Sequence, residues 1–213
     1  TQSRSSAASD VYKRQSYSKV EISHVFIDSS LNIRALEIED NKIYNASSNG
    51  KIYSFESSKP DLISVKQYKS DIDSVFSPNF RSMSIVSQDI YVITIGNPAL
   101  LFKNGKVVYR EVNKKVFYDS MDFWNEKEGL VVGDYLDGCI SVLITRDGGE
   151  SWKKLDCNKF KNPIKDEGFF AASDTNISII EDKVWVASGG INSRIYYSSD
   201  KGYSWEIINT PII

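Results

Sequence analysis

From residue 31 onward, hydrophobic and polar positions alternate with a period of two, in short runs rich in Val, Ile, Tyr and Phe broken by Gly, Asn, Asp and Pro. That pattern predicts strands with one buried face. Residues 42–47 and 51–57 flank Ser48-Asn49-Gly50, whose Asn and Gly accept positive φ, so the stretch predicts a hairpin. Residues 89–95 and 99–103 flank Gly96-Asn97-Pro98, and Asn104-Gly105 turns the chain into 106–112. No ten-residue window carries a helical stripe, and the chain reads as nearly all β.

The strands fall into four units, 31–68, 80–112, 116–156 and 168–209, each readable as four short antiparallel strands. Four-stranded units of this length repeated around an axis are the blades of a β-propeller. Two octets give the repeat its best internal evidence: Thr145-Arg146-Asp147-Gly148-Gly149-Glu150-Ser151-Trp152 aligns with Ser198-Ser199-Asp200-Lys201-Gly202-Tyr203-Ser204-Trp205. In such a turn the Asp carboxylate accepts backbone N–H groups, Gly takes the left-handed conformation, and Trp covers a neighbouring apolar surface. Thr145, Asp147, Gly149, Ser151 and Trp152, with Ser198, Asp200, Gly202, Ser204 and Trp205, are therefore structural candidates rather than catalytic ones.

Both octets fit Ser/Thr-x-Asp-x-Gly-x-Ser/Thr-Trp, and in this the chain resembles the Asp-box, or bacterial neuraminidase repeat, propellers of sialidase-like or YVTN-like kind. A closer resemblance, to the photosystem II stability and assembly factor-like propellers of Bacteroidetes-type bacteria, covers nearly all of residues 16–213. It is carried by Phe80-Arg81-Ser82, Asn97-Pro98-Ala99-Leu100-Leu101, Val116-Phe117-Tyr118-Asp119-Ser120-Met121, Phe123-Trp124-Asn125, residues 144–152 and Phe170-Ala171-Ala172-Ser173. The chain departs from that pattern at Gly133-Asp134-Tyr135, where Gly-Asp-Pro is expected. The resemblance implies a propeller of more than four blades, of which this chain is a fragment cut at both ends, and a periplasmic, cell-envelope or secreted location. Such propellers are often loosely labelled oxidoreductases. No Gly-x-Gly-x-x-Gly lies between a strand and a helix to support dinucleotide binding, and no cofactor is implied.

The first fifteen residues read differently. Ser5-Ser6-Ala7-Ala8-Ser9-Asp10-Val11-Tyr12-Lys13-Arg14-Gln15 matches the in-frame translation of a transposase mosaic-end sequencing adapter throughout, so residues 1–15 are set outside the biological chain. The whole sequence holds 26 Lys and Arg against 28 Asp and Glu, a net of −2, which argues against nucleic acid or an anionic membrane bound by charge. Its apolar runs are too short to span a membrane. A single histidine, His24, and two cysteines leave no material for a zinc site and argue against a histidine-based triad. His24, beside Val25 and Phe26, reads as a packing or surface residue. Lys114-Lys115 and Lys153-Lys154 read as solvated edge charges, and Trp124 and Trp185 as packing between blades. Asn45-Ala46-Ser47 and Asn176-Ile177-Ser178 match the glycosylation triplet, a pattern that arises often by chance.

Blade topology assigns faces. Loops between the second and third strands share one face with the entries to the first strands, and the octets share the other. Arg34 and Arg81 occupy equivalent early positions in first strands, Arg194 follows the Gly189-Gly190 loop, and Asn97, Asp134 and Asp137 fall in the corresponding loops. These six residues are the candidate ligand-binding set. They read either as pairs that satisfy a crowded channel or as a surface that recognises a carboxylate or acidic peptide, which planar guanidinium groups suit.

Two functions follow. One is a non-enzymatic binding or assembly propeller whose partner is a protein segment or a small carboxylate. The alternative is a sialidase-type glycoside hydrolase, which needs an arginine cluster, a Tyr nucleophile with an acidic partner and an acid/base Asp. Tyr118-Asp119 lies early in a first strand, but there is no Arg-Ile-Pro motif and no convincing Glu partner. Finally, if Thr145 faces Ser151 across its octet, the same register brings Cys139 directly opposite Cys157, and a disulfide is feasible there. It would fit an oxidising compartment.

Overall fold

The computed structural model describes residues 19, 21–22, 24–70, 76–169, 175–190 and 192–211. The adapter-like stretch and Phe170-Ala171-Ala172-Ser173 lie outside them. Among the described residues sixteen strands form four sheets of four, each in simple up-and-down order. The first blade is β1 (Ile33–Glu39), β2 (Lys42–Ser47), β3 (Lys51–Glu56) and β4 (Ser64–Gln67). The second is β5 (Phe80–Val86), β6 (Asp89–Thr94), β7 (Ala99–Lys103) and β8 (Lys106–Glu111). The third is β9 (Tyr118–Phe123), β10 (Gly129–Leu136), β11 (Cys139–Thr145) and β12 (Lys153–Lys154), and the fourth β13 (Ile177–Ile180), β14 (Lys183–Ala187), β15 (Arg194–Ser198) and β16 (Glu206–Asn209). The first strands β1, β5, β9 and β13 pack side by side in that order. This is the arrangement of propeller blades around an axis, and the fold is an incomplete all-β propeller of about four blades.

Period-two alternation builds the seams between blades. On β6, Ile90 and Val92 face the first blade while Tyr91 and Ile93 face the third; on β7, Leu100 and Phe102 face one way and Ala99 and Leu101 the other. On β11, Leu143 faces the second blade while Ile140, Val142 and Ile144 face the fourth. The core is thus three apolar clusters, one per seam, and each side chain of a middle blade helps stabilise one of two neighbours by burial. The same alternation explains the exposed residues. Met83 and Met121 are buried against the preceding blade, whereas Leu36, at the equivalent position of β1, is 57% exposed with Ile38 beside it. Phe26 stacks on Tyr53 at 4.9 Å over that outward side.

Several expectations need correcting. Trp124 joins the seam between the third and fourth blades as expected, and Trp185 pairs with Tyr197 at 5.3 Å on the outward side of the fourth blade, opposite the buried Val184 and Val186. Lys154 is no free edge charge, since it bonds Glu111 of the second blade at 2.7 Å. Asn45 within β2 and Asn176 just before β13 are both buried, which argues against both glycosylation triplets. The register of β11 with β12 is one residue off the expected one: Ile144 faces Lys153 and Leu143 faces Lys154. In that register Asn158, not Cys157, would oppose Cys139. The chain instead leaves the sheet after Lys154, and a short 3-10 turn, Cys157–Lys159, brings the sulfur back to the start of β11. Cys139 and Cys157 are bonded, with Cα atoms 5.4 Å apart.

Candidate functional site

Each of the first three blades opens its inner strand with an irregularity in the same place. Pairing skips from Ile33 to Ala35 on β1, from Phe80 to Ser82 on β5, and from Tyr118 to Ser120 on β9. The extra residues are Arg34, Arg81 and Asp119. A bulge of this sort re-aims one side chain out of the alternation, so three charged groups leave the sheets at one level. Arg34 is exposed, while Arg81 and Asp119 are 1% and 0% exposed. Sequence reading matched the two arginines and missed Asp119 as the third member. The signal was present in Phe80-Arg81-Ser82-Met83 against Tyr118-Asp119-Ser120-Met121, hidden because the charge reverses.

Arg81 is the least satisfied of these groups: its Nε and Nη2 atoms are buried with no hydrogen-bond partner among the described residues. Arg34 reaches Asn32, whose amide oxygen, once turned to face the guanidinium, accepts from Nε and Nη2 at 3.1 and 3.2 Å. Asp134 lies within β10 rather than in a loop, as the extra residue of a bulge between Gly133 and Tyr135. Gly133 permits this, because a Cβ there would come within 2.2 Å of the Phe117 carbonyl oxygen. Desolvation raises the Asp134 pKa, opposed by the Phe169 N–H, which donates at 2.9 Å, and by a hydrogen bond with Asp119. Further along the channel, Glu37 and Asp122 stand three residues beyond the bulges of β1 and β9. Burial raises both, and Asp122 adds a like-charge repulsion to Glu37.

Arg194 does not join this set. It begins the third strand of its blade and forms a buried ion pair with Glu167. Its Nε donates to Glu167 at 2.9 Å, Nη1 to the Asn162 carbonyl at 2.8 Å and Nη2 to the Tyr196 hydroxyl at 2.7 Å. The Tyr196 hydroxyl donates to Glu167 at 2.6 Å, and the Ser188 hydroxyl donates to the same carboxylate. Burial by itself would raise the Glu167 pKa, but these donors more than offset it and hold the carboxylate charged. Glu167 escaped sequence reading because it sits in the aperiodic connection between β12 and β13. Of the remaining candidates, Asn97 is exposed before a cis bond to Pro98, and Asp137 is exposed and accepts from Asn113 at 3.3 Å.

The two octets share one network. Thr145 and Ser198 hydroxyls donate to Asp147 and Asp200 at 2.9 and 2.8 Å, and accept from the Gly149 and Gly202 N–H groups at 2.9 and 2.7 Å. Ser151 and Ser204 each donate an N–H and a hydroxyl to the same Asp. Burial pushes both carboxyls up, and the serine donors outweigh it, so both titrate below the usual range. Trp152 and Trp205 are buried, each in the seam with the preceding blade. Among the described residues no three metal-ligating side chains gather, and no helix is long and apolar enough to cross a membrane.

The class defined by this geometry is the propeller. Among solved structures the chain is similar to U3-55K, with TM-score 0.58 and 12% identity over 85% of this chain and 53% of that one. It is likewise similar to the WD40 repeats of RRP9, at 0.57 and 12% over 85% and 52%. A structure of YCF48 bound to D1 peptide gives 0.48 and 15% over 72% and 46%. The fold likeness rests on the first two, and identities this low carry nothing about partner or chemistry. The chain spans about half the length of those two structures. No family model and no curated protein matches it.

Proposed function

We propose that the protein is a non-enzymatic binding propeller of the Asp-box kind, which holds a peptide segment by a carboxylate on the face carrying the strand bulges. Arg81 carries this reading. A guanidinium 1% exposed, with Nε and Nη2 unmet among the described residues, is preorganised for a planar acceptor that would complete it. Arg34 at the equivalent position extends the patch toward solvent. The half-buried Asp134 supplies an acceptor suited to a peptide N–H group, which favours a peptide over a small carboxylate. The resemblance to assembly factors points the same way and suggests a periplasmic or envelope location, with which the disulfide agrees. A sialidase would need a tyrosine open to substrate, and Tyr118 and Tyr196 are 0% and 1% exposed.

The test is capture of random hexapeptides on the immobilised protein, from one pool with free C-terminal carboxylates and one amidated, read by mass spectrometry. The carboxylate pool should be enriched, and Arg81→Lys should abolish the enrichment with little change in melting temperature. Equal capture of both pools would overturn the reading, as would hydrolysis of a fluorogenic sialoside that Arg81→Ala abolishes.

A further inference from the structure

Where a seam is closed by an Asp-bearing octet, side chains of the preceding blade grip the octet by a backbone carbonyl. The Tyr91 hydroxyl donates to the Gly148 oxygen at 2.7 Å, and the Lys103 ammonium to the same atom at 2.8 Å. Lys103 lies over the Tyr91 ring, 5.7 Å from its centroid. Gly149, at φ +74°, rests on that ring so closely that a Cβ would come within 2.3 Å of it. One seam further on, Arg146 donates to the carbonyl of Lys201, the residue equivalent to Gly148, at 2.6 Å.

The seam between the first and second blades has no octet, because Asn104-Gly105 joins β7 to β8 directly. Tyr68 packs over Gly105, within 3.3 Å of where a Cβ would stand, and fills the outer part of the seam. Beside it remains a cavity of about 550 Å³, lined from Ile90 of the second blade across to Ser64 and Lys66 on β4. Its wall carries the same receiving chemistry. Tyr44 stands on β2 where Tyr91 stands on β6, each two residues beyond the pair that closes the hairpin. Lys42 lies over the Tyr44 ring at 5.1 Å, arriving from β2 where Lys103 arrives from β7. Neither the Lys42 ammonium nor the Tyr44 hydroxyl has a hydrogen-bond partner among the described residues, and both line the cavity with Ile52, Ser54, Glu56 and Ile90.

We propose that this cavity is a second binding site, which takes from a partner protein a turn of the kind that closes the other two seams. The turn contains glycine, offers a backbone carbonyl to Tyr44 and Lys42, and lays an aromatic side chain against Ile52 and Ile90. A phenol and an ammonium side by side on one face of β2 present donors only, and so suit an acceptor. Glu39, Asp40 and Glu56 outnumber Lys42 and Lys66 in the lining and disfavour a free anion, so the acceptor is a neutral carbonyl. The volume lies within the range of ordinary ligand sites. The site is on the octet face and is independent of the function proposed above.

The probe is an acetylated, amidated and dye-labelled peptide with the sequence of residues 145–152, Thr-Arg-Asp-Gly-Gly-Glu-Ser-Trp, titrated against the full chain by fluorescence anisotropy. Saturable binding is expected, weakened about tenfold or more by Lys42→Met with Tyr44→Phe, and likewise by Trp→Ala in the peptide. Because neither donor is used in the free protein, Tyr44→Phe should leave the melting temperature unchanged, whereas Tyr91→Phe should lower it. The proposal is overturned by absence of saturable binding, by equal binding to the double variant, which would mean exchange with the octets of the other seams, or by equal destabilisation from the two Tyr→Phe changes.

Discussion

The Lys103 ammonium at the end of β7 donates to the Gly148 carbonyl of the next blade at 2.8 Å, and Arg146 repeats the contact on Lys201 one blade further on at 2.6 Å. Burial by itself would lower the Lys103 pKa, but Glu150 and Asp89 outweigh it and raise it, so the ammonium stays charged in the seam. Lys103→Met should therefore destabilise the chain by about 1–2 kcal/mol, read from urea unfolding. Most of this comes from the carbonyl contact. The ion pair with Glu150, whose side chain is 60% exposed, is screened by solvent and contributes little. A loss that vanishes in high salt would contradict that division.

The buried group of Arg194, Glu167 and Tyr196 predicts stability effects of a different size. Removing one partner leaves a charge buried without its counterion, which costs about 3–5 kcal/mol. Arg194→Met and Glu167→Gln should each fall in or near that range, and Arg194→Met with Glu167→Met should cost less than the two singles added. Tyr196→Phe removes one donor from Glu167 and should cost about 1 kcal/mol. Thermal or urea melts decide it. Near-neutral effects at Arg194 would return that residue to the candidate binding surface.

How much of this was legible in the sequence depended on whether a repeat carried it. The short apolar runs of β6, β7, β10 and β11 predicted the blades because each of these strands is buried on both sides, and the octets marked two loops whose Asp carboxylates are held by local hydrogen bonds. Arg34 and Arg81 were matched because their strands repeat. Asp119 has the same place with the opposite charge, so composition concealed what backbone geometry shares. Glu167 lies in a connection with no period, and nothing local announces its pairing with Arg194 across 27 residues. The cysteine pairing was expected for a register that the chain does not use. β12 ends at Lys154 after two residues, and a turn, not strand pairing, sets the path to Cys139.

That path makes the disulfide a clip on the connection rather than a rung of the sheet. It closes a loop between residues 18 apart, for which the chain-entropy argument gives about 3 kcal/mol. Reduction should lower the melting temperature by several degrees, and Cys139→Ser with Cys157→Ser should match the reduced protein. Peptide mapping without reductant should recover the linked pair from protein made in an oxidising compartment. Two freely alkylated thiols under those conditions would remove the support the bridge lends to an envelope location.

The carboxyls divide into two groups with opposite pH dependence. Asp147 and Asp200 titrate below their ordinary value, burial being outweighed by their serine donors, so the folded state prefers the charged form. Their stabilisation is present above the usual carboxylate range and is lost as the pH falls through it toward the lowered folded values. Glu37 and Asp122 are raised, chiefly by desolvation, so the folded state prefers them protonated. Their contribution is most favourable below the usual range and is lost as the pH rises through it to the raised folded values. Asp147→Asn should thus lower the melting temperature at pH 7, with the deficit shrinking toward pH 3. Asp122→Asn should raise it at pH 7 and give no advantage at pH 3. Because part of the Glu37 shift comes from Asp122 across the channel, Glu37→Gln should gain less stability in the Asp122→Asn background than alone. Melting temperatures of the three single variants and this double variant from pH 3 to 8 test the assignment, and parallel curves for Asp147→Asn and Asp122→Asn would refute it.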